Sequence, residues 1–447
     1  MRQKSDQAGR DVPSPTDPEA ALPRQEDPRE HAPAARAAGA ERVTPRALGA
    51  GAVALLALVA TSLVAGPASA APPGGPCALP RTPAHHSEGL DTWNGAYPRP
   101  LGSLDAVLVF LSFPDAAPRT TPAELTADYF PDATNFFDRS SYGRFTLRPH
   151  PQKEWLTMPQ PSTAYEIRRD WNAASRSAYL RDALKAADPV VDFSRYDIVY
   201  FVADPDAPGV DSDATKVVNF SRPLEADGTP IRRVVTLFER HPPDRNVLAH
   251  ETGHVFDLPD LYHRPTDNKG DWDTHVGDWD LMGSQFGLGP DLFAWHKWKL
   301  GWLGHQQITC VQGEGSHRLS LEPVAADAPL PGSGTRLAVV PEGPGTVIAV
   351  EARTAEGNDV DVCREGILVY RVRTDLPSGA GPVEVLDAHP DTAACWGRSV
   401  YPDLADAPVQ EGETFTVPGT APGEGVRVEV EDRTPSGSWT VNLTTRL

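Results

Sequence analysis

The 447-residue chain is poor in several features, and each shortage narrows the functions that it can have. Basic residues are outnumbered by acidic ones, 41 to 61, which gives a formal charge of −20. Such a surface repels nucleic acid and anionic membranes, so we exclude both as main partners. The sequence also lacks internal repeats, a G-x-S-x-G motif, a phosphate-binding loop and a dinucleotide-binding motif. These absences argue against a serine hydrolase with a nucleophile elbow and against a nucleotide-dependent enzyme.

Long apolar runs are also scarce, and the longest uncharged one is "ALGAGAVALLALVATSLVAG" at residues 47–66. A basic flank precedes it, and the small-residue sequence "PASA" follows and ends at Ala70. This pattern is typical of a secretory signal, here residues 47–70, and predicts a secreted protein without stable membrane association after cleavage. The alternative is an uncleaved membrane anchor at 47–66, because about 20 apolar residues span a bilayer. Residues 1–46 have no apolar periodicity and are expected to be disordered.

Cysteine is limited to four residues, Cys77, Cys310, Cys363 and Cys395. An even number in an exported chain favours two disulfides, for which three pairings exist. Cys363 and Cys395 share a β-rich C-terminal region, so we pair them and assign Cys77 to Cys310. The alternative is that a free Cys77 thiolate ligates a catalytic metal in a latent form.

The pattern of apolar residues predicts two folded regions after a Pro/Gly-rich lead-in at residues 71–100. Residues 101–305 mix strand-like runs, such as "DAVLVFLSFPD" and "YDIVYFVA", with the helical spacing of "SAYLRDALKAAD". This mixture predicts an α/β (α+β) domain with a twisted mixed sheet. Residues 306–447 carry short runs such as "GTVIAVEA" and "GVRVEVED" between Gly, Pro and Asp turns, which predicts an all-β, sandwich-like module.

The segment "PPDRNVLAHETGHVF" contains an H-E-x-x-H motif. It is predicted to be a helix, with Asp244 as its N-cap after two prolines. Positions four apart lie on one face of a helix, so His250 and His254 present two imidazoles to one point, as a zinc ion requires. Glu251 is placed to accept the proton of an attacking water. The alternative is a helix that carries two structural histidines.

A third protein ligand is expected beyond this helix, which should stop near Leu258 because a proline follows. Zinc peptidases with the pattern H-E-x-x-H-x-x-G-x-x-H/D complete the site ten residues after the first histidine, where this chain has Asp260. Asp257 stands at the glycine position, and aspartate tolerates the left-handed conformation that such a turn needs. We therefore assign Asp260 as the third ligand. The alternatives are His263, Asp257, Asp271 and Asp278.

Two residues near the motif are assigned supporting roles. Met282 lies in "GDWDLMGS" and is one of only three methionines. Metzincin-like enzymes have a methionine turn as an apolar floor beneath the metal, and we assign Met282 to such a turn. Tyr262 is a candidate donor to the oxyanion or a support of the site, with a core tyrosine as the alternative.

Three further predictions concern possible calcium sites, a substrate-binding strand and a packing face. Residues 204–213 and 267–273 are acidic and are candidate calcium sites, with solvated loops as the alternative. The strand predicted at Arg232–Phe238 is assigned to the sheet edge, where an extended substrate would add as a further strand. A packing face between the two regions is expected from the tryptophans at helical spacing, Trp295, Trp298 and Trp302.

Five stretches occur in a fixed order over residues 105–303: "VLVFLSFPD", "FFDRSSYGRFTL", "HETGHVFDLPDLY", "GDWDLMGS" and "AWHKWKLGWL". Together they resemble the immune inhibitor A (thuringilysin-like) family of secreted bacterial metallopeptidases. The segment "CREGILVYRV" also resembles the β-module that follows the catalytic domain in that family. The resemblance implies a metzincin-like, zincin-type catalytic domain with His250 and His254 as zinc ligands and Glu251 as general base. It further implies structural Ca2+ in addition to Zn2+.

The sequence thus predicts a secreted, monomeric zinc metalloendopeptidase that hydrolyses peptide bonds in extracellular proteins. Two other functions remain open. One is a zinc hydrolase of a non-protein amide, such as a cell-wall cross-link or an N-acyl group. The other is a non-catalytic binding protein on a peptidase fold, against which the intact Glu251 argues.

Overall fold

The computed structural model describes residues 75–244, 246–265, 269–288, 291–326, 334–419 and 423–446. The predicted disordered extension (1–46) and the predicted signal or anchor (47–70) lie outside these segments. Ala70–Leu447 forms one compact unit. Within the described segments, no helix has the length and apolarity to cross a bilayer.

The first sheet has five strands: β1 (Gly102–Ser112), β2 (Phe145–Thr157), β3 (Ile198–Ala203), β4 (Lys216–Ala226) and β5 (Thr229–Leu237). Their spatial order is β2-β1-β3-β5-β4, and all pairs are parallel except β4 with β5, so the sheet is mixed. The prediction that Arg232–Phe238 forms the sheet edge is wrong. That segment belongs to β5, and β4, which the apolar pattern did not indicate, covers its outer side.

Helices pack on both faces of this sheet. The described α-helices are α1 (Pro122–Tyr129), α2 (Asp132–Ser140), α3 (Ala173–Ala187), α4 (Val247–Val255) and α5 (Ala294–Lys299). Successive side chains of a strand point to opposite faces. On β1, Leu108 and Phe110 therefore enter the core that contains α4, while Val107 and Val109 enter the core that contains α3. Burial of both faces explains why β1 is continuously apolar from Ala106 to Leu111. The sheet thereby packs against α4 on one face.

The C-terminal region forms two further sheets. Its strands are β6 (Ile308–Cys310), β7 (Gly315–Leu321), β8 (Leu337–Gly343), β9 (Thr346–Arg353), β10 (Gly366–Arg373), β11 (Val383–Val385), β12 (Thr414–Pro418), β13 (Gly425–Arg433) and β14 (Trp439–Arg446). One sheet has the order β11-β10-β9-β8-β6 and is mixed, because β6 runs parallel to β8. The other, β12-β13-β14-β7, is antiparallel. None of the three sheets, as far as the structure describes them, closes into a barrel. The protein is thus a mixed α/β structure with few helices.

The two predicted regions share a hydrophobic core. One face of the five-stranded C-terminal sheet packs on the antiparallel sheet through residues such as Val350 and Val428. Its other face contributes Val339 and Tyr370 to the core that contains α4 and α5. The three tryptophans predicted as a packing face, Trp295, Trp298 and Trp302, are buried in that same core.

Both disulfides join the predicted partners, Cys77 with Cys310 and Cys363 with Cys395. The first disulfide ties the lead-in to β6. Because Cys77 is bonded to sulfur, the alternative that it serves as a metal ligand is wrong in this state of the protein.

Candidate metal centre

The histidine-bearing helix α4 is shorter than predicted at both ends. Asn246, and not Asp244, occupies its N-cap, while the Asp244 carboxylate accepts the backbone N–H of Asn246 at 2.9 Å. The helix ends at Val255 and not near Leu258, because Asp257 takes a left-handed conformation with φ of 64°. Aspartate at the glycine position therefore makes the turn that carries Asp260 back toward the helix.

His250, His254 and Asp260 offer ligand atoms that all lie within 4.8 Å of one another. Asp260 Oδ1 is 3.4 Å from His250 Nε2 and 3.1 Å from His254 Nε2. Around a tetrahedral zinc ion with bonds of about 2.0–2.1 Å, ligand atoms lie about 3.3 Å apart. The donor set and the two distances from Asp260 therefore fit zinc.

The tautomer of both histidines is fixed by the backbone. His250 Nδ1 lies 2.9 Å from the carbonyl oxygen of Leu281, and His254 Nδ1 lies 2.8 Å from that of Leu258. A carbonyl oxygen only accepts, so each Nδ1 carries the proton and donates it. Each Nε2 is then the ring nitrogen that faces Asp260 Oδ1 and that is left to ligate a metal, which is the arrangement found in metal-ligating histidines.

Asp260 is held by a loop of the C-terminal region. The Ser378 hydroxyl donates to Asp260 Oδ2 at 2.9 Å, and the Asp260 backbone N–H donates to the same hydroxyl oxygen at 2.9 Å. The Asp260 carbonyl accepts the backbone N–H of Gly379 at 3.0 Å. Burial raises the pKa of the Asp260 carboxyl, but His254 and His250 outweigh it and hold that pKa well below its ordinary value. Asp260 is thus an oriented anion.

Asp257 forms ion pairs with residues other than His250 and His254. It is almost fully buried, and its carboxylate pairs with Arg81 at 2.7 Å and with His86 Nδ1 at 2.8 Å. Burial raises the pKa of Asp257, but His86, Lys299 and Arg81 together lower it below its ordinary value. Asp257 therefore serves as the anchor for an N-terminal segment and does not face the ligand atoms of Asp260.

The other alternative ligands also lie apart from the two histidines. The His263 ring stacks on His275 with centroids 4.4 Å apart. Asp278 Oδ1 accepts the backbone N–H of Leu288 at 3.1 Å, and the exposed Asp271 caps the backbone N–H of Asp273 at 3.0 Å. In the part of the chain that the structure describes, His250, His254 and Asp260 are the one group of three or more His, Cys, Asp or Glu side chains arranged to hold a metal ion.

Glu251 lies beside the two histidines as an incompletely paired carboxylate. It is buried, and its Oε2 has no hydrogen-bond partner among the described residues. Burial raises the pKa of Glu251, and His254 and His250 offset this increase only in part. A buried carboxylate with a free oxygen and a raised pKa is suited to accept a proton.

Met282 packs against α4. A Cβ atom on Gly253, the residue before His254, would lie 2.5 Å from the Met282 sulfur. The Met282 carbonyl accepts the Leu261 backbone N–H at 2.9 Å, and its N–H donates to Asp280 Oδ1 at 2.7 Å. The turn is thus bonded to the segment that carries Asp260.

His250, His254, Asp260 and Glu251 line a cleft of about 1080 Å³. One wall is the start of the edge strand β4, with Lys216, Val217 and Asn219. Another wall is the segment after the methionine turn, in which Phe286 is 70% exposed. Further lining residues come from distant parts of the chain: His85, His86, Tyr262, Trp272 and Ser378.

Tyr262 lies at the edge of the metal centre. Its ring packs on Trp272 with centroids 5.4 Å apart. Burial raises the pKa of its hydroxyl, and the nearby Asp260 carboxylate raises it further. The Tyr262 hydroxyl therefore lies near the Asp260 carboxylate.

The acidic segments predicted as calcium sites form turns. Asp211 caps the backbone N–H of Asp213 at 3.1 Å, and Asp204 caps that of Asp206 at 3.0 Å. Part of segment 267–273 lies outside the described residues. No second metal-holding group appears in what is described of either segment.

Comparison with known proteins does not assign the chain to a family, because no protein-family model and no curated protein matches it. Three residues that support the site, Arg81, His86 and Ser378, have no motif or spacing that would indicate their role. They lie 118 to 176 residues from the aspartates that they contact, and only the tertiary fold brings them there.

Proposed function

We propose that the protein is a secreted zinc-dependent endopeptidase, similar to the immune inhibitor A family. The observation that carries this proposal is the convergence of His250 Nε2, His254 Nε2 and Asp260 Oδ1, with the carboxylate at 3.1–3.4 Å from the imidazoles. Glu251, with a free carboxylate oxygen beside them, supplies the base that hydrolysis needs.

A zinc ion at this site supplies Lewis acidity that lowers the pKa of water and polarises a carbonyl group. His250, His254 and Asp260 hold it, and their backbone and hydroxyl partners keep them oriented. Glu251 accepts a proton from the attacking water and returns it to the leaving amine nitrogen. Burial raises the pKa of Glu251, which favours acceptance of the proton from water.

The cleft supports a polypeptide as substrate. β4 is the outermost strand of the first sheet, and its first residues, including Lys216 and Val217, line the cleft beside Glu251. An edge strand has unpaired backbone groups to which an extended peptide adds. We therefore move the proposed substrate-binding edge from Arg232–Phe238 to the start of β4.

The two disulfides support a location outside the cytoplasm, because disulfides persist in oxidising compartments. This agrees with the predicted signal at residues 47–70, which lies outside the described residues.

The test is metal analysis of the purified protein combined with cleavage profiling. We expect about one zinc per chain, loss of activity with a chelator, and internal cleavage of casein and of a peptide library. Cleavage of purified peptidoglycan or an N-acyl amide, with casein left intact, would assign the site to a non-protein amide. Bound zinc with no hydrolysis of any of these substrates would favour a binding protein.

A further inference from the structure

The lead-in contains a segment, residues 77–91, that is fastened to the metal centre and that we call the N-terminal strap. Cys77 is disulfide-bonded to Cys310. At the middle of the strap, Arg81 and His86 both pair with Asp257, the residue that turns the chain toward Asp260. Further along, the fully buried Glu88 pairs with His296 at 2.9 Å. The strap is therefore built into the active-site region.

The backbone of the strap is fixed at His85 and His86. The Ser378 backbone N–H donates to the His85 carbonyl at 3.1 Å, and the hydroxyl of the same Ser378 holds Asp260. His86 has a φ of 55°, a left-handed conformation that is uncommon for a residue with a side chain. Such strain persists where surrounding contacts enforce it, and it is frequent at functional sites.

The two adjacent histidines have different surroundings. The His86 ring is buried, donates to Asp257, and stacks on His254 with centroids 5.8 Å apart. The His85 ring lies 4.0 Å from the His86 ring, is exposed, and lines the cleft together with His254 and Asp260. Neither ring nitrogen of His85 has a hydrogen-bond partner among the described residues. His86 is therefore a structural contact, whereas His85 is a free donor on a fixed backbone.

Two other cleft side chains beside Asp260 carry a hydroxyl. The Ser378 hydroxyl already donates to the Asp260 carboxylate at 2.9 Å, and the Tyr262 hydroxyl lies close enough to Asp260 for that carboxylate to raise its pKa. A donor that stabilises a transition state must be free to meet charge as it develops. We propose that His85 is a catalytic residue that donates an N–H hydrogen bond to the oxyanion of the substrate. This inference rests on the proposed hydrolase function.

The proposed reaction is the hydrolysis of one amide bond by one water molecule. The oxygen of water forms a bond to the amide carbon, and the π pair of the C=O bond moves to the carbonyl oxygen, whose negative charge accepts the His85 N–H. Glu251 takes the proton of the water. When the pair on oxygen re-forms the carbonyl, the C–N bond breaks and the amine nitrogen takes the proton from Glu251. Water and one amide give one acid and one amine.

The test compares two substitutions at His85 in the full chain. His85→Leu removes the donor and is expected to lower kcat by about 100-fold with KM changed less than about 3-fold. His85→Gln keeps a side-chain N–H and should recover part of that loss. Zinc content and Tm should match the wild type in both variants. The matched control is His305→Leu, which alters an exposed histidine outside the cleft and should leave kcat unchanged.

A second readout does not depend on turnover. A phosphinic peptide imitates the tetrahedral carbon and its charged oxygens, and its affinity by calorimetry should fall about 100-fold in His85→Leu. Equal affinity in the wild type and His85→Leu, a loss found only in Tyr262→Phe, or loss of zinc or Tm in His85→Leu would each overturn the role of His85. Wild-type protein that binds zinc and the phosphinate but cleaves no peptide would instead overturn the peptidase function.

Discussion

The Ser378 hydroxyl lies 2.9 Å from Asp260 Oδ2, although the two residues are 118 positions apart in the chain. Ser378 belongs to the loop between β10 and β11, whereas Asp260 follows α4. The hydroxyl engages one carboxylate oxygen, and the other oxygen, Oδ1, faces His250 and His254. Oδ2 thus fixes the orientation of Asp260, and Oδ1 remains available to bind a metal.

Replacing Ser378 tests this positioning. Ser378→Ala should weaken zinc affinity about 10- to 100-fold, the usual cost of losing a partner that orients a ligand. Competition with a chelating dye measures the affinity. Ser436→Ala, in an exposed turn, is the control and should bind zinc as the wild type does. Unchanged affinity in Ser378→Ala would show that the hydrogen bond does not orient the ligand.

Removing the carboxylate itself should have a larger effect. Asp260→Ala takes away one of the three proposed ligands, so we expect zinc to be lost on dialysis while His250 and His254 remain in place. Asp271→Ala removes a nearby cleft carboxylate that caps a turn and should retain its zinc. If Asp260→Ala keeps stoichiometric metal and Asp271→Ala does not, the assignment of the third ligand is wrong.

Glu251→Gln separates chemistry from metal binding. Glutamine has the shape of glutamate but accepts no proton, so kcat should fall about 100- to 10,000-fold while zinc content stays the same. The assay is hydrolysis of casein or of a fluorogenic peptide. Glu154→Gln, on the exposed part of β2, should retain wild-type turnover. Wild-type rates in Glu251→Gln would remove this residue from the mechanism.

The close approach of Gly253 and Met282 predicts a stability effect. Gly253→Ala would place a methyl group 2.5 Å from the buried Met282 sulfur and should lower the free energy of unfolding by about 1–3 kcal/mol. Urea denaturation of the metal-free protein measures it. Gly95→Ala, where a Cβ meets nothing within 4 Å, is the control. The double variant with Met282→Ala should cost less than the sum of the two single variants, and simple additivity would argue against the contact.

A buried ion-pair chain predicts a pH dependence. Burial lowers the pKa of His296, but Glu88 and Asp280 outweigh it and raise that pKa to about 9, from an ordinary value near 6.5. The folded state therefore holds this proton more tightly than the unfolded state. The stabilisation, about 3 kcal/mol, is complete below pH 6.5 and is lost as the pH rises through 9.

Comparison with His296→Gln isolates this effect. The variant should be less stable at pH 6.5, because Glu88 and Asp280 lose a buried cationic partner. Its free energy of unfolding should also depend less on pH between 6.5 and 10. Parallel pH profiles for the two proteins would show that His296 does not titrate as the structure indicates.

Local patterns were sufficient to predict that His250, His254 and Asp260 lie together. The four-residue spacing of His250 and His254 requires only a helix, and the turn to Asp260 requires only a short segment after it. The alternation and length of the apolar runs likewise indicated strands β1 and β3. Both cysteine pairings followed from the regions that the cysteines occupy.

Features that depend on the tertiary fold were not predictable. β4 carries polar and charged residues because it lies at an edge, so its composition resembles that of a loop. The apolar pattern therefore places the sheet edge at β5 instead. The end of α4 depended on the left-handed Asp257, which Arg81 and His86 hold from more than 170 positions away. No local pattern indicates such partners.

The placement of Arg81, His86 and Ser378 has a consequence for how the protein is made. The first two precede the histidine helix by more than 160 residues, and the third follows it by more than 120. All three supports are therefore present only after residue 378 has been synthesised. Any activity of the proposed site that depends on them is expected only from that point, and a fragment trimmed to residues 101–305 would lack the supports on both sides.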